Sequence, residues 1–171
     1  MKNLVLLLFM ASFLCFSQAA KAQEYNSAIG ARLGSPFSAS YKNFISEQGA
    51  IELFGNFRTR GVLTSYRWTR LGVGGAYQHH FDLEIEELEG LKWYVGGGAT
   101  AYFWTYSNDG FFDDSDNLTF GVQGYVGLDY AFEDAPVNLS LDWVPTILLG
   151  NGYVSGFGAG YGALSIRYIL N

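Results

Sequence analysis

The sequence predicts an all-β fold, an eight-stranded antiparallel up-and-down transmembrane β-barrel. Apolar residues recur at every second position in one segment after another, which is the period of a strand with two different faces. Most of the eight segments approach or exceed the ~9–11 residues with which a tilted strand crosses a bilayer. Aromatic residues make up 18% of the chain and 22 residues are glycine, a composition typical of barrels with aromatic girdles.

Residues 1–22 are predicted to be a cleaved signal peptide, which leaves residues 23–171 as one barrel domain. Lys2 supplies the positive charge, residues 4–16 supply the apolar middle, and Ala20-Lys21-Ala22 forms the cleavage motif. The apolar run of about 13 residues is too short for a membrane-spanning helix, which needs ~20. Because the only cysteine, Cys15, falls in this segment, the mature chain can form no disulfide within itself.

The eight predicted strands are separated by polar residues or by Gly and Pro. They cover residues 25–34, 38–45, 50–59, 70–81, 91–106, 118–132, 137–149 and 157–170. An even number of strands places both chain ends on the same side of the membrane, and closure leaves no unpaired backbone edge facing lipid.

The connections alternate in length, as expected when short turns face one side of a membrane and longer loops face the other. Residues 46–49 and 133–136 are short, whereas 60–69, 107–117 and 150–156 are longer. Two connections depart from this pattern: 35–37 is very short, and 82–90, which holds four glutamates, is long. Pro145 lies within the seventh strand and cannot donate to a ladder, so we expect a β-bulge or the end of regular pairing there.

The last three strands separate apolar from polar residues most clearly. The apolar set is Leu118, Phe120, Val122, Val126, Leu128, Tyr130, Phe132, Val137, Leu139, Leu141, Trp143, Leu164, Ile166, Tyr168 and Leu170. The opposite set is Thr119, Gln123, Tyr125, Asp129, Asn138, Ser140, Asp142, Ser165 and Arg167. A soluble barrel turns its apolar set inward, whereas a transmembrane barrel turns it outward.

The charges on the polar face favour the transmembrane arrangement. Six strands contribute one charge each, three cations and three anions: Arg32, Lys42, Arg167, Glu52, Asp129 and Asp142. Such a balance predicts an ion-pair network in the lumen, because buried ions must be paired to offset their desolvation. The alternative is a secreted sandwich or soluble barrel with these charges on its solvated outside. In the transmembrane arrangement, Tyr94, Tyr102, Trp104 and Tyr125 would help to fill the lumen, so no wide pore is expected.

Several sequence elements resemble small outer-membrane barrel proteins of the OmpA/OmpX-like superfamily. They are Ala50-Ile51-Glu52, Trp93-Tyr94-Val95-Gly96-Gly97-Gly98, Gly127-Leu128-Asp129-Tyr130, Leu139-Ser140-Leu141-Asp142-Trp143-Val144-Pro145 and Ser165-Ile166-Arg167-Tyr168. The resemblance implies a fold and an outer-membrane location with both termini periplasmic, and no general reaction. The chain departs from the family in ending on Asn171 instead of an aromatic residue, which bears on recognition by the barrel-insertion machinery.

No catalytic, cofactor or metal site is predicted. His79 and His80 are adjacent on a strand and point to opposite faces, so they cannot jointly chelate one metal. No serine is placed as a nucleophile beside them. The four aspartates of residues 108–117 lack EF-hand spacing, so we interpret them as solvated loop acids.

The sequence therefore predicts an integral outer-membrane barrel with a structural or interaction role, a plugged lumen and no enzymatic activity. A lipid-modifying enzyme, a narrow channel and a small-ligand-binding barrel remain alternatives. Expected partners are outer-membrane lipid, lipopolysaccharide and the barrel-insertion machinery, and we expect a monomer. Phe111, Phe112, Tyr153 and Phe157 form a candidate contact surface for a partner or for lipopolysaccharide. The formal net charge of −6 argues against nucleic acid, because nucleic-acid affinity depends on cations that neutralise phosphates.

Overall fold

The computed structural model describes residues 25–60, 66–83, 85, 88, 90–108, 117–149 and 156–170. Eight strands form one closed barrel in which every neighbouring pair is antiparallel and β1 pairs with β8. They are β1 (Ser27–Gly34), β2 (Phe37–Phe44), β3 (Gly49–Arg60), β4 (Tyr66–Asp82), β5 (Leu91–Asn108), β6 (Asn117–Ala131), β7 (Val137–Leu149) and β8 (Gly156–Leu170). The predicted fold class is confirmed, and the predicted signal peptide lies outside the described residues.

The described part of the chain contains no helix that is long and apolar enough to cross a membrane.

The predicted strand limits differ from the observed limits by a few residues. Strand β7 coincides with its prediction, whereas β4 begins at Tyr66 and β5 continues to Asn108 because these two residues still pair with each other. The predicted loops 60–69 and 107–117 are therefore too long. The sequence pattern places Tyr25 in β1, but the strand begins at Ser27, and the Tyr25 side chain is buried.

The two ends of the barrel are distinct. The termini end carries the beginning of β1, the end of β8 and the connections β2–β3, β4–β5 and β6–β7; the loop end carries the other four connections. β1 and β2 have 8 residues each and are joined through Ser35 and Pro36 alone, in agreement with the short first connection in the sequence. By contrast, β4 and β5 have 17 and 18 residues. At the loop end, the barrel wall therefore extends much farther along β4 and β5 than along β1 and β2.

The strands turn apolar side chains outward and polar side chains inward. Leu128 and Leu141 are 43% and 59% exposed, whereas their neighbours Asp129 and Asp142 are 3% exposed. Large apolar side chains that are exposed in the same way occur on all eight strands, among them Ile29, Phe37, Leu53, Val73, Val95, Phe120, Trp143 and Ile166. This sidedness is the one expected of a barrel in lipid and the reverse of a soluble barrel.

A β-bulge interrupts the pairing of β7 with β8 at Pro145. The register shifts between Val144 and Thr146, and the strand then continues to Leu149, so the first of the two expected outcomes is confirmed. Gly160 lies opposite with φ of +80°, and a Cβ atom there would approach the Val144 carbonyl oxygen to 2.8 Å. The bulge therefore requires glycine at this position of β8.

Candidate functional site in the barrel lumen

Glu52 joins two of the predicted cations. Nη2 of Arg167 donates to its Oε1 at 2.5 Å, and Nη1 of Arg32 lies 3.5 Å from its Oε2. Nε2 of Gln78 donates to the same Oε2 at 2.6 Å. Both carboxylate oxygens of this buried residue are therefore hydrogen-bonded, as a buried charge requires.

Arg32 also connects Glu52 with Asp142. Its Nη2 donates to Oδ1 of Asp142 at 2.8 Å, and the hydroxyl of Tyr94 donates to Oδ2 at 2.8 Å. The guanidinium carbon of Arg32 lies 5.4 Å from the centre of the Tyr125 ring. The arginine is thus held by two carboxylates and an aromatic ring.

Asp129 forms the third anionic centre, toward the termini end. Nζ of Lys42 lies 3.0 Å from its Oδ1, while the Tyr25 hydroxyl and Nδ2 of Asn138 donate to Oδ2 at 2.8 Å and 3.1 Å. Burial raises the pKa of the Tyr25 phenol above its usual value, and the Asp129 carboxylate raises it further. Tyr25 therefore remains a hydrogen-bond donor to the carboxylate.

Arg167 links these centres into one network. Its Nε donates to Ser40 Oγ at 3.1 Å, and its Nη1 donates to Ser140 Oγ at 2.8 Å and to Asn138 Oδ1 at 3.2 Å. The structure thus brings all six predicted lumen residues together, each no more than 3% exposed: Arg32, Lys42, Glu52, Asp129, Asp142 and Arg167. We call these six residues the ion-pair network.

Neutral residues also hydrogen-bond to the ion-pair network; the sequence analysis gave them no part in it, although it placed Asn138 and Ser140 on the polar face. They are Tyr25, Ser40, Gln78, Asn138 and Ser140. All but Tyr25 occupy inward positions of their strands, and this alternation is the only sequence signal that marks them. Which charge each one contacts depends on the closure of the barrel.

A second, uncharged cluster lies around Gln123. Its Oε1 accepts from Thr100 at 2.6 Å and from Tyr125 at 3.1 Å, and its Nε2 donates to Tyr102 at 3.3 Å and to Thr146 at 3.4 Å. We call it the Gln123 layer. Of the predicted lumen-filling aromatics, Tyr94, Tyr102 and Tyr125 are buried, and Trp104 is half-buried.

Arg70, toward the loop end, is a buried cation that the sequence analysis missed. It is 8% exposed, and its guanidinium carbon lies 4.3 Å and 5.2 Å from the ring centres of Tyr102 and Trp104. The alternation that turns Gln78 and His80 inward on β4 also turns Arg70 inward. It was missed because it was the first residue of the predicted strand. At that position the sequence does not show whether the side chain points into the barrel or belongs to a loop.

The two histidines lie on opposite faces of β4, as predicted. Nδ1 of His79 is 3.3 Å from the Tyr77 hydroxyl, whereas His80 is buried with its ring 4.8 Å from that of Phe44 and 5.0 Å from that of Tyr94. Within the described ranges, no group of three His, Cys, Asp or Glu residues could hold a metal ion. The acidic segment 109–116, which includes Phe111 and Phe112, lies outside the described residues, as does Tyr153.

A cavity of about 650 Å³ opens at the termini end. Tyr25, Phe44, Lys92 and Asp129 are among the residues that line it. The oxygens of Asp129 are already hydrogen-bonded, and Lys92 forms an ion pair with Asp82 at 3.1 Å. The charged groups of Asp129 and Lys92 are thus already engaged within the protein.

The fold is shared with a known surface protein. The chain is similar to the crystal structure of Neisserial surface protein A, with a TM-score of 0.59 and 17% sequence identity over 84% of this chain and 93% of that chain. At this identity the likeness concerns the fold, a small closed barrel. No family model matches the chain, and the search of curated proteins gives no match either.

Proposed function

We propose that this chain is an integral barrel of a bacterial outer membrane, exported with residues 1–22 removed and inserted with its termini end toward the periplasm. One observation carries the proposal: the apolar side chains surround the outside of the barrel while the ions are paired inside. A continuous apolar band of this kind is rare on monomeric soluble proteins, whose exposed patches seldom exceed a few hundred Å². Lipid would cover the band and remove the free-energy cost of exposing apolar side chains to water.

The interior supports a structural or interaction role rather than transport. The ion-pair network, the Gln123 layer and Arg70 with its aromatic neighbours follow one another from the termini end toward the loop end. Side chains fill the lumen of an eight-stranded barrel when each strand contributes residues of ordinary size. The non-enzymatic interpretation rests on the separation of His79 from His80 by the sheet and on the aromatic surroundings of His80.

The proposed partners follow from the same sidedness. The apolar band would contact outer-membrane lipid and lipopolysaccharide, and the barrel-insertion machinery would receive the end of β8. Tyr168 is 45% exposed on the outer face there, two positions before Leu170 at the end of β8, and offers an aromatic side chain near the end of the chain. We propose no nucleic-acid partner, because the mature chain is acidic. We also propose that the protein is a monomer.

The location is tested by heat modifiability in membrane fractions. The barrel is expected to sediment with outer membranes and to migrate differently on gels before and after boiling. Because the mature chain lacks cysteine, Leu141→Cys can report on the outer face, and Glu133→Cys in the β6–β7 connection serves as the matched control. A water-soluble maleimide should label the control in lipid vesicles and spare residue 141. Equal labelling of both residues would contradict the proposal.

A further inference from the structure

Charge is balanced differently in the two halves of the lumen. In the ion-pair network each cation contacts a carboxylate, as Lys42 contacts Asp129 at 3.0 Å. Arg70 is also more than nine-tenths buried, but among the described residues no Asp or Glu oxygen lies within 4.0 Å of it. A buried cation without a carboxylate beside it is costly unless an anion is supplied.

A second cation lies directly across the sheet from Arg70. In the register of β3 with β4, Arg58 pairs with Arg70, and Asn56 pairs with Gly72 at the next inward position. Like charges directly opposite each other on neighbouring strands are destabilising. The register therefore places two cations side by side on neighbouring strands near the loop end.

Among the described residues, polar atoms near this charge lack hydrogen-bond partners. Nε of Arg70 and both amide atoms of Asn56 are buried, and no described residue hydrogen-bonds to them. Asn56 is 3% exposed, and a Cβ atom at Gly72 would lie 2.6 Å from its Oδ1, so the absence of a side chain at residue 72 makes room for the amide. Buried groups of this kind are rare, and each one costs free energy until it is satisfied.

We propose that Arg70 and Asn56 form a binding site for an oxyanion, a phosphate or carboxylate group that enters from the loop end. The Arg70 Nε–H and the Asn56 Nδ2 donate to the anion, and the Asn56 Oδ1 accepts from a hydroxyl on the same ligand. The rings of Tyr102 and Trp104 hold the guanidinium group in place. Free phosphate and the phosphorylated headgroup of a lipid both carry this chemistry, and the site does not depend on the proposed location.

The test uses the refolded mature chain in a detergent that contains no phosphate group. The side-chain ¹⁵N–¹H signals of Arg70 and Asn56 are followed by NMR while inorganic phosphate replaces chloride at constant ionic strength. Both signals are expected to shift and to saturate. Arg70→Gln should bind phosphate about tenfold more weakly or worse, because it removes a charge-assisted hydrogen bond. Lys92→Gln, a cation at the termini end paired with Asp82, is the matched control and should bind like the wild type.

A second variant keeps the test decisive if Arg70→Gln does not fold. Asn56→Asp places a carboxylate beside Arg70, so it should fold and lose phosphate binding. Parallel titrations with lipopolysaccharide and with its dephosphorylated form identify the source: saturation by the phosphorylated lipid alone indicates a headgroup, and saturation by inorganic phosphate indicates a free ligand.

Three results would overturn the proposal. The first is no shift of either signal with phosphorylated lipid or with phosphate up to about 50 mM, well above a dissociation constant of ~1 mM. The second is unchanged phosphate binding by Asn56→Asp. The third is binding that appears only after Asp109, Asp113, Asp114 and Asp116 are changed to Asn, because the chain's own carboxylates would then hold the site.

Discussion

Nη2 of Arg167 on β8 lies 2.5 Å from Oε1 of Glu52 on β3, so a single ion pair joins two strands that are not neighbours in the barrel. The contact crosses the lumen, and the side chains of both residues are completely buried. Its energetic value is therefore set by burial: pairing offsets desolvation, and removal of one partner leaves an uncompensated charge.

Glu52→Gln should be strongly destabilising for this reason. The change leaves Arg167 and Arg32 with one carboxylate fewer, and we expect the free energy of unfolding to fall by about 3–5 kcal/mol. Urea unfolding in lipid vesicles measures the change. Glu47→Gln in the exposed β2–β3 connection is the control and should stay within about 0.5 kcal/mol of the wild type. A Glu52→Gln barrel as stable as the control would show that the ion pair contributes nothing.

Lys42 and Asp129 should behave as a coupled pair. Lys42→Met or Asp129→Asn alone leaves a buried charge, whereas the double variant leaves none, so the two losses of stability should not add. We expect a coupling energy of about 1–3 kcal/mol in a double-mutant cycle. If the two losses of stability were additive, the two charges would be solvated by water and not paired in a closed lumen.

The loss of stability caused by a charge on the outer face should depend on how deep in the bilayer the charge lies. Val126 is exposed near the middle of β6, and Val126→Arg should lower the free energy of unfolding in lipid by about 2–4 kcal/mol. Ile45→Arg, just beyond β2 at the termini end, should cost about 0–1 kcal/mol. If Val126→Arg were as mild as Ile45→Arg, the outer face would not be in lipid.

Gly160 should tolerate no side chain. Two features oppose Gly160→Ala, the positive φ and the Val144 carbonyl oxygen, which would lie 2.8 Å from the added methyl carbon. The substitution should therefore cost more than about 1 kcal/mol. Gly97→Ala provides the comparison, because the nearest atom to its Cβ would be 3.9 Å away. The two variants should separate clearly in thermal unfolding, and similar stabilities would argue against the bulge at Pro145.

A lumen plugged by side chains, as proposed above, predicts low permeability. Purified protein in planar bilayers should give no steady channel steps, since the ion-pair network and the Gln123 layer occupy the lumen. Stepwise openings that disappear when Asp129 or Arg167 is neutralised would instead support the narrow-channel alternative.

The sequence predicted the strands and the faces because both follow from a local period of two. The six charges could be found in the same way, because each stands at an inward position, and all but Lys42 have apolar residues on both sides. Their partners could not: Glu52 contacts Arg32 from β1 and Arg167 from β8, and such contacts depend on how the strands are staggered around the closed barrel. Arg70 and Asn56 were not predicted, because the sequence does not show whether an isolated polar residue near a strand end is buried.

The unequal heights of the barrel wall have a consequence for the surrounding lipid. Eight residues at ~3.3 Å rise and a tilt of about 40° reach only about 20 Å along the membrane normal, short of a typical hydrocarbon core of ~30 Å. In the proposed outer-membrane location, acyl chains beside β1 and β2 must therefore compress, while those beside β4 and β5 need not. We expect short or disordered chains to gather along one flank, so that the protein creates its own asymmetric patch of thinner bilayer.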